Sequence, residues 1–188
     1  MGGATGADNN PTMSSPPTNV CGNGICGSNE NAASCSVDCS SIILNGANSG
    51  VSGGRGMMFK LSTNRAIVVK SFAFYTWTVM NSAIQVYHKE RDWGGSEFNI
   101  THWTKVFDKN VTYYGQNTLT TINLPGVPID KDTSRSFYIV TNPSPGKTTD
   151  GNRIMYLDST GTASPNTPMT TAGALTLYHG ETEAAICA

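Results

Sequence analysis

Ala66-Ile67-Val68-Val69-Lys70-Ser71-Phe72-Ala73-Phe74-Tyr75 decides the fold class, because eight of its ten residues are apolar and most of those are β-branched or aromatic. Such side chains favour extended backbone. The apolar residues fall on both faces of the run, which predicts a central strand buried on both sides. On its N-terminal side, Met57-Met58-Phe59-Lys60-Leu61 reads as a strand that ends in a turn at Thr63-Asn64. On its C-terminal side, residues 82–89 alternate, with Ile84, Val86 and His88 on one face and Gln85 and Tyr87 on the other. Further β-rich runs lie at 102–107, 111–114, 118–124, 136–141, 153–157 and 174–179, separated by Gly, Pro, Asn and Asp. Short strands at this spacing predict an all-β fold, an antiparallel sandwich of jelly-roll-like form. No segment sustains a 3.6-residue apolar period, so no helix is expected. Residues 142–171 read as loop around a single strand.

Composition agrees. Thr, Ser, Asn and Gly supply 78 of 188 residues against 7 Leu, a balance unsuited to a helical bundle. Only 13% of residues are charged, and 12 basic against 13 acidic side chains leave a net charge of −1. With no basic run, a nucleic-acid or anionic-membrane partner is not expected. No apolar stretch approaches the roughly 18 residues of a membrane span, so membrane insertion is not expected either.

Four of five cysteines, Cys21, Cys26, Cys35 and Cys39, fall within nineteen residues. Such clusters serve as disulfide knots or zinc sites. Zinc sites usually pair cysteines two to four residues apart, often with histidine; here the segments between are rich in Asn, Ser and Gly and no histidine is near. The disulfide reading is preferred, and with it an extracellular or cell-surface location. Two Asn-x-Thr tripeptides, at Asn99 and Asn110, match glycan acceptors. Residues 1–20 have the Gly/Ser/Pro/Thr/Asn composition of a flexible arm and no apolar leader core, as expected of a processed chain or a segment of a longer one. Cys187 is left over, either free or paired outside this segment. Three regions follow: the arm 1–20, a Cys-rich motif 21–40 and a β-sandwich 41–188.

The Cys-rich motif is too small to hold a core without cross-links or a metal. Its oxygen donors, Asn23, Asn29, Glu30 and Asp38, sit on turns bounded by the cysteines and suit a calcium ion; the alternative is that the acidic groups only cap turns. The pattern C-G-[DN]-G-x-C-x3-E-x4-C-x2-D-C resembles a reduced Lin-12/Notch repeat lacking one cysteine pair, and the resemblance implies calcium ligands at Asn23, Glu30 and Asp38. The larger region also resembles a family. Gly56-Met-Met-Phe59, Ile67-Val-Val-Lys-Ser-Phe72, Ile84-Gln-Val-Tyr87, Trp103, Ser134-Arg-Ser-Phe137-Tyr138-Ile-Val-Thr141 and Leu175-Thr-Leu-Tyr178-His-Gly180 are similar to a β-sandwich module of secreted diatom and algal proteins. That likeness implies an extracellular module without implying a reaction.

Chemistry concentrates in His88-Lys-Glu-Arg-Asp-Trp-Gly-Gly-Ser-Glu97, followed by His102-Trp103. Glu90, Asp92 and Glu97 share one loop rather than facing each other across a substrate, as glycosidase carboxylates must. No nucleophile elbow, phosphate loop or H-E-x-x-H occurs, so no enzyme is expected. Binding suits these residues better: Trp93 and Trp103 are candidates to stack on sugar rings, Trp93 first, while Asp92 and Arg91 hydrogen-bond the hydroxyls. The alternative for either indole is a core anchor, which is the preferred reading for Trp103 in its strand. The shared pattern Ile84-Gln-Val-Tyr-His88 and Leu175-Thr-Leu-Tyr-His179 suggests equivalent sheet positions, which would bring the two histidines together. The expected role is carbohydrate binding by a secreted, non-enzymatic module. The alternatives are a subunit that assembles with its own copies into a filament or wall, and a secreted glycan-active enzyme.

Overall fold

Strands account for almost all of the regular structure: β1 (Ser52–Gly54), β2 (Gly56–Thr63), β3 (Ile67–Phe74), β4 (Val79–Glu90), β5 (Thr104–Tyr114), β6 (Thr120–Ile129), β7 (Thr133–Thr141), β8 (Ile154–Tyr156), β9 (Pro168–Ala172) and β10 (Leu175–Glu181). Among the described residues a single 3-10 turn, Ile100–His102, precedes β5. The computed structural model describes residues 21, 29, 33–35, 52–54, 56–97, 99–141, 154–156 and 168–181, and among these there is no α-helix. The chain separates into two compact units, Met1–Ser40 and Ser41–Ala188. In the first, Cys21 and Cys35 form a disulfide with Cα atoms 5.4 Å apart, and Cys35 is buried. Cys26, Cys39 and Cys187, the arm 1–20 and the calcium candidates Asn23, Glu30 and Asp38 lie outside the described residues.

In the second unit, a six-stranded antiparallel sheet runs in the order β5-β4-β7-β2-β10-β9, beside two-stranded pairs β3-β6 and β1-β8. The chain passes from the large sheet at β2 to the small one at β3, back for β4 and β5, out again for β6 and back for β7. Such switching puts apolar faces of two layers against one core. Phe59, Leu61, Ile84, Phe137 and Ile139 of the large sheet share that core with Val69, Phe74, Ile122, Val127 and Ile129 of the β3-β6 pair. Three rings fasten the layers: Phe72 of β3 meets Phe59 at 5.3 Å and Phe137 at 5.0 Å, both edge-on. The all-β antiparallel sandwich is therefore present, with layers of unequal width.

The stretch that announced the fold is not its central strand. Among the described residues β3 pairs only with β6, and Val68, Lys70, Ser71 and Ala73 are exposed. The reason is a register shift between Val69 and Ser71. Core-directed residues are 67 and 69 before it and 72 and 74 after it, because an irregularity in the ladder changes which parity faces inward. A strand apolar at both parities thus has one buried face. Its partner makes the same change, from Ile122 and Leu124 to Val127 and Ile129, across Gly126, whose φ of +102° suits a residue without Cβ.

The strand buried on both faces is β7, where Ser136, Phe137, Tyr138, Ile139, Val140 and Thr141 are all buried in succession. Phe137 and Ile139 face the main core, while Tyr138 and Val140 face a second cluster with Met58, Trp93 and Trp103. The segment 91–103 covers this second cluster. The runs expected at 102–107 and 111–114 are one strand, β5, which carries Asp108-Lys109-Asn110 through its middle because a sheet edge tolerates polar residues. β9 was hidden by its opening Pro168, admissible at the first residue of an edge strand. A two-residue turn at Gly173, φ +57°, joins it to β10. The strands bearing His88 and His179 are separated by β7 and β2, about 14 Å at normal strand spacing, so the two positions are not neighbours in the sheet.

Candidate functional site

Where β4 ends, Arg91 adopts a left-handed backbone, φ 62°, which turns the chain back over the sheet. The turn is fixed by the Arg91 N–H donating to the Ser134 carbonyl at 3.0 Å and by the buried Ser136 hydroxyl donating to the Arg91 carbonyl at 2.6 Å. Asp92 follows, its Oδ2 3.2 Å from Lys60 Nζ. Its Oδ1 accepts from the Gly94 N–H at 3.3 Å, and Lys89 Nζ donates to its carbonyl. Burial raises the Asp92 pKa, but the Gly94 amide and Lys60 outweigh it and hold the carboxyl below its ordinary value. Lys60 also lies 4.5 Å above the Tyr178 ring, whose hydroxyl accepts from Ser62 Oγ at 3.1 Å.

Of these groups, Lys60, Ser62, Arg91, Ser134 and Tyr178 border a groove of about 880 Å³, within the range of small-ligand sites. Its charged lining is Lys60, Arg91 and Arg135 against Glu90, Asp130 and Asp132, so the two signs balance. Between them stand the hydroxyls of Ser62, Thr133, Ser134, Thr171, Thr176 and Tyr178. Adjacent strands supply this row, since Ser62 sits opposite both Ser134 and Thr176. At one side Arg135 stands 3.6 Å from Glu90 and donates to His88 Nδ1 at 3.0 Å. That bond fixes His88 as the neutral tautomer with its proton on Nε2. Burial first, and the Arg135 charge second, lower the His88 pKa against the smaller pull of Glu90.

The expected ligand trio divides. Arg91 lines the groove and Asp92 is tied to its wall through Lys60. Trp93 does not serve as a surface stacking platform, because it is only 2% exposed and packs inward with Met58, Trp103 and Tyr138. The segment 91–103 closes on itself around it. The Ser96 N–H donates to the Trp93 carbonyl at 2.9 Å, and Trp103 Nε1 donates to the Ser96 carbonyl at 2.9 Å. Trp103 is the buried anchor its strand suggested. Among the described residues, buried Trp93 Nε1 has no hydrogen-bond partner.

Both candidate glycan acceptors are exposed. Asn99 caps the 3-10 turn, its Oδ1 accepting from the Thr101 N–H at 3.1 Å and hydroxyl at 2.6 Å, whereas Asn110 stands in the middle of β5. Among the described residues, no group of three or more His, Cys, Asp or Glu is arranged to hold a metal, and no helix is long and apolar enough to cross a membrane.

Sequence reasoning missed Lys60, Tyr178 and the hydroxyl row, which lie far apart in the chain and meet only through strand register. It also passed over Trp77. That indole is 39% exposed, in the turn between β3 and β4, and Tyr114, paired with Val79 at the start of β4, is 52% exposed. No protein-family model matches the chain, and no curated protein matches it.

Proposed function

We propose that this chain is an extracellular carbohydrate-binding module whose groove receives a neutral sugar. One observation carries the reading: the groove is lined by hydroxyls and by three cations balanced by three anions. A charged ligand gains little in such a field, whereas a polyhydroxylated neutral one finds donors and acceptors for each of its groups. The Lys60 and Asp92 side chains and the backbone of Arg91 are held before any ligand arrives, which limits the ordering cost of binding. The Cys21–Cys35 disulfide supports an oxidising compartment.

Assembly through sheet edges draws less support. β5 presents Lys105, Asp108 and Lys109 along one edge, and β9 opens on Pro168 at the other, both features that discourage strand addition.

Calorimetric titration with neutral oligosaccharides selected on a glycan array tests the reading. Arg91→Ala and Tyr178→Ala are each expected to weaken binding at least tenfold, about 1.4 kcal/mol. Absence of any oligosaccharide ligand, or unchanged affinity in both variants, defeats it.

A further inference from the structure

We propose that the opposite end of the sandwich is a second carbohydrate site, at which Trp77 and Tyr114 form a stacking platform for a neutral polysaccharide chain. It does not rest on the groove. The groove lies at the C-terminal end of β4 beside Glu90 and Arg91, whereas Val79, paired with Tyr114, begins that strand. Eleven residue steps separate the two ends, roughly 37 Å along the strand.

Four large apolar side chains are exposed where the β3–β4 and β5–β6 turns meet: Trp77 at 39%, Val79 at 71%, Tyr114 at 52% and Leu119 at 46%. Isolated exposed apolar residues are ordinary, but a cluster of aromatic and aliphatic groups marks a contact surface. The turns beneath are tied together. Thr76 is fully buried; its Oγ1 accepts from the Gly115 N–H at 3.0 Å and donates to the Thr78 carbonyl at 3.2 Å. The Gly115 carbonyl accepts from the Thr76 N–H at 3.4 Å, and Gln116 Nε2 donates to the Trp77 carbonyl at 3.5 Å. Gly115 has φ +81°, and a Cβ there would sit 3.1 Å from Val79, so the turn is built for glycine. The two turns that carry the rings are therefore held in place before a ligand meets them.

The surroundings choose the occupant. Residues 71–87 and 110–129 contain no Asp, Glu, Lys, Arg or His. The polar groups beside the rings are amides and hydroxyls, among them Gln116, Asn117, Thr78 and Thr118. A pyranose ring offers what this surface lacks and matches: an apolar C–H face for Trp77 and Tyr114, and hydroxyls for the amides. An anionic lipid surface would call for lysine or arginine beside the apolar residues, and these two segments supply none. Self-association calls for more area: the four side chains expose on the order of 400 Å², about half of what each partner contributes to a standard interface.

Retention of the purified chain on insoluble cellulose, chitin and mannan is the test. At least one should retain it, and Trp77→Ala and Tyr114→Ala should each lower the partition constant at least tenfold. Trp77→Phe should retain part of the affinity, and Val68→Thr, an exposed apolar site on β3, all of it. Because Trp93 and Trp103 are buried, acrylamide quenching of tryptophan emission reads mainly Trp77 and should fall when a soluble fragment of the retained polysaccharide is added. Failure of all three polysaccharides to retain the chain overturns the proposal, as does equal retention of Trp77→Ala. It is equally overturned if Trp77→Ala instead abolishes pelleting with phosphatidylcholine vesicles, or a concentration-dependent dimer, while leaving retention intact. A failing groove shows as unchanged oligosaccharide affinity in Arg91→Ala and a failing platform as unchanged retention in Trp77→Ala, so the two readings fall separately.

Discussion

Phe137 and Tyr138 are consecutive in β7 and buried on opposite faces of one sheet. The Phe137 ring lies 5.8 Å from Phe59 and 5.0 Å from Phe72 in the main core. The Tyr138 ring lies 6.1 Å from Tyr87 and 6.0 Å from Trp103 in the second cluster. One strand therefore holds the two layers together on one side and seats the segment behind the groove on the other. Phe137→Ala should cost about 3–5 kcal/mol in urea unfolding, the usual range for a buried ring. Its native tryptophan emission should stay close to wild type, because Trp93 and Trp103 pack on the other face. Tyr138→Leu should shift that emission to the red. Equal red shifts in both variants would contradict two separate clusters.

Tyr138 also dictates Gly56. A Cβ at position 56 would fall 2.6 Å from the Tyr138 ring, and that ring is 1% exposed with no room to withdraw. Gly56→Ala should destabilise by about 1–3 kcal/mol, the cost of overpacking. In a Tyr138→Leu background the same substitution should cost measurably less, giving a coupling energy in a double-mutant cycle. A cost unchanged by the background would place the strain elsewhere.

β7 also shows what a single sequence displays and what it conceals. Residues 136–141 are apolar or small at every position, and both faces are in fact covered. Residues 66–75 look the same, yet a ladder irregularity after Val69 turns two half-sets of inward residues into an apparent two-faced run. Periodicity has no means of separating these cases, because the irregularity is set by the partner strand around Gly126. The site divides along similar lines. Arg91 and Asp92 were legible because a charged loop follows a clear strand. Lys60, Ser62 and Tyr178 were not, because their meeting depends on β2 lying beside β10, a pairing 116 residues apart in the Ser62–Tyr178 bond. Trp93 misled for a related reason: a Gly-rich loop suggests exposure, but this one folds its indole beneath itself.

His88 makes stability depend on pH near neutrality. Burial and then Arg135 hold its pKa below the ordinary 6.5, so the unfolded chain binds the proton more readily than the folded one. Stability should therefore fall as pH drops through about 6.5 and level off below the folded-state pKa, with no contribution from this group above about 7.5. His88→Gln should flatten the melting-temperature profile between about pH 5 and 8. A wild-type profile that rises toward acid, or one unchanged by the substitution, would contradict the assignment.

Asp92 acts in a lower window and reports on the groove wall. Its pKa is held below the ordinary 3.8, the Gly94 amide and Lys60 together overcoming the effect of burial. The stabilisation is fully present above about pH 4 and is lost as pH falls through the depressed value. The carboxyl is 43% exposed, so solvent screens the pair and the effect should shrink further in salt. Asp92→Asn should be less stable than wild type at pH 7 by circular dichroism, and the difference should close between about pH 4 and pH 2. The Lys60 side chain is only 13% exposed and its ammonium lies 4.5 Å over the Tyr178 ring, so removing the Asp92 charge weakens one of the contacts that set its place in the groove. Asp92→Asn should then weaken oligosaccharide binding at pH 7, where the fold is intact, while leaving polysaccharide retention by the Trp77 end unchanged. A stability difference constant across the acid range would show that Lys60 and Asp92 are neighbours without being coupled.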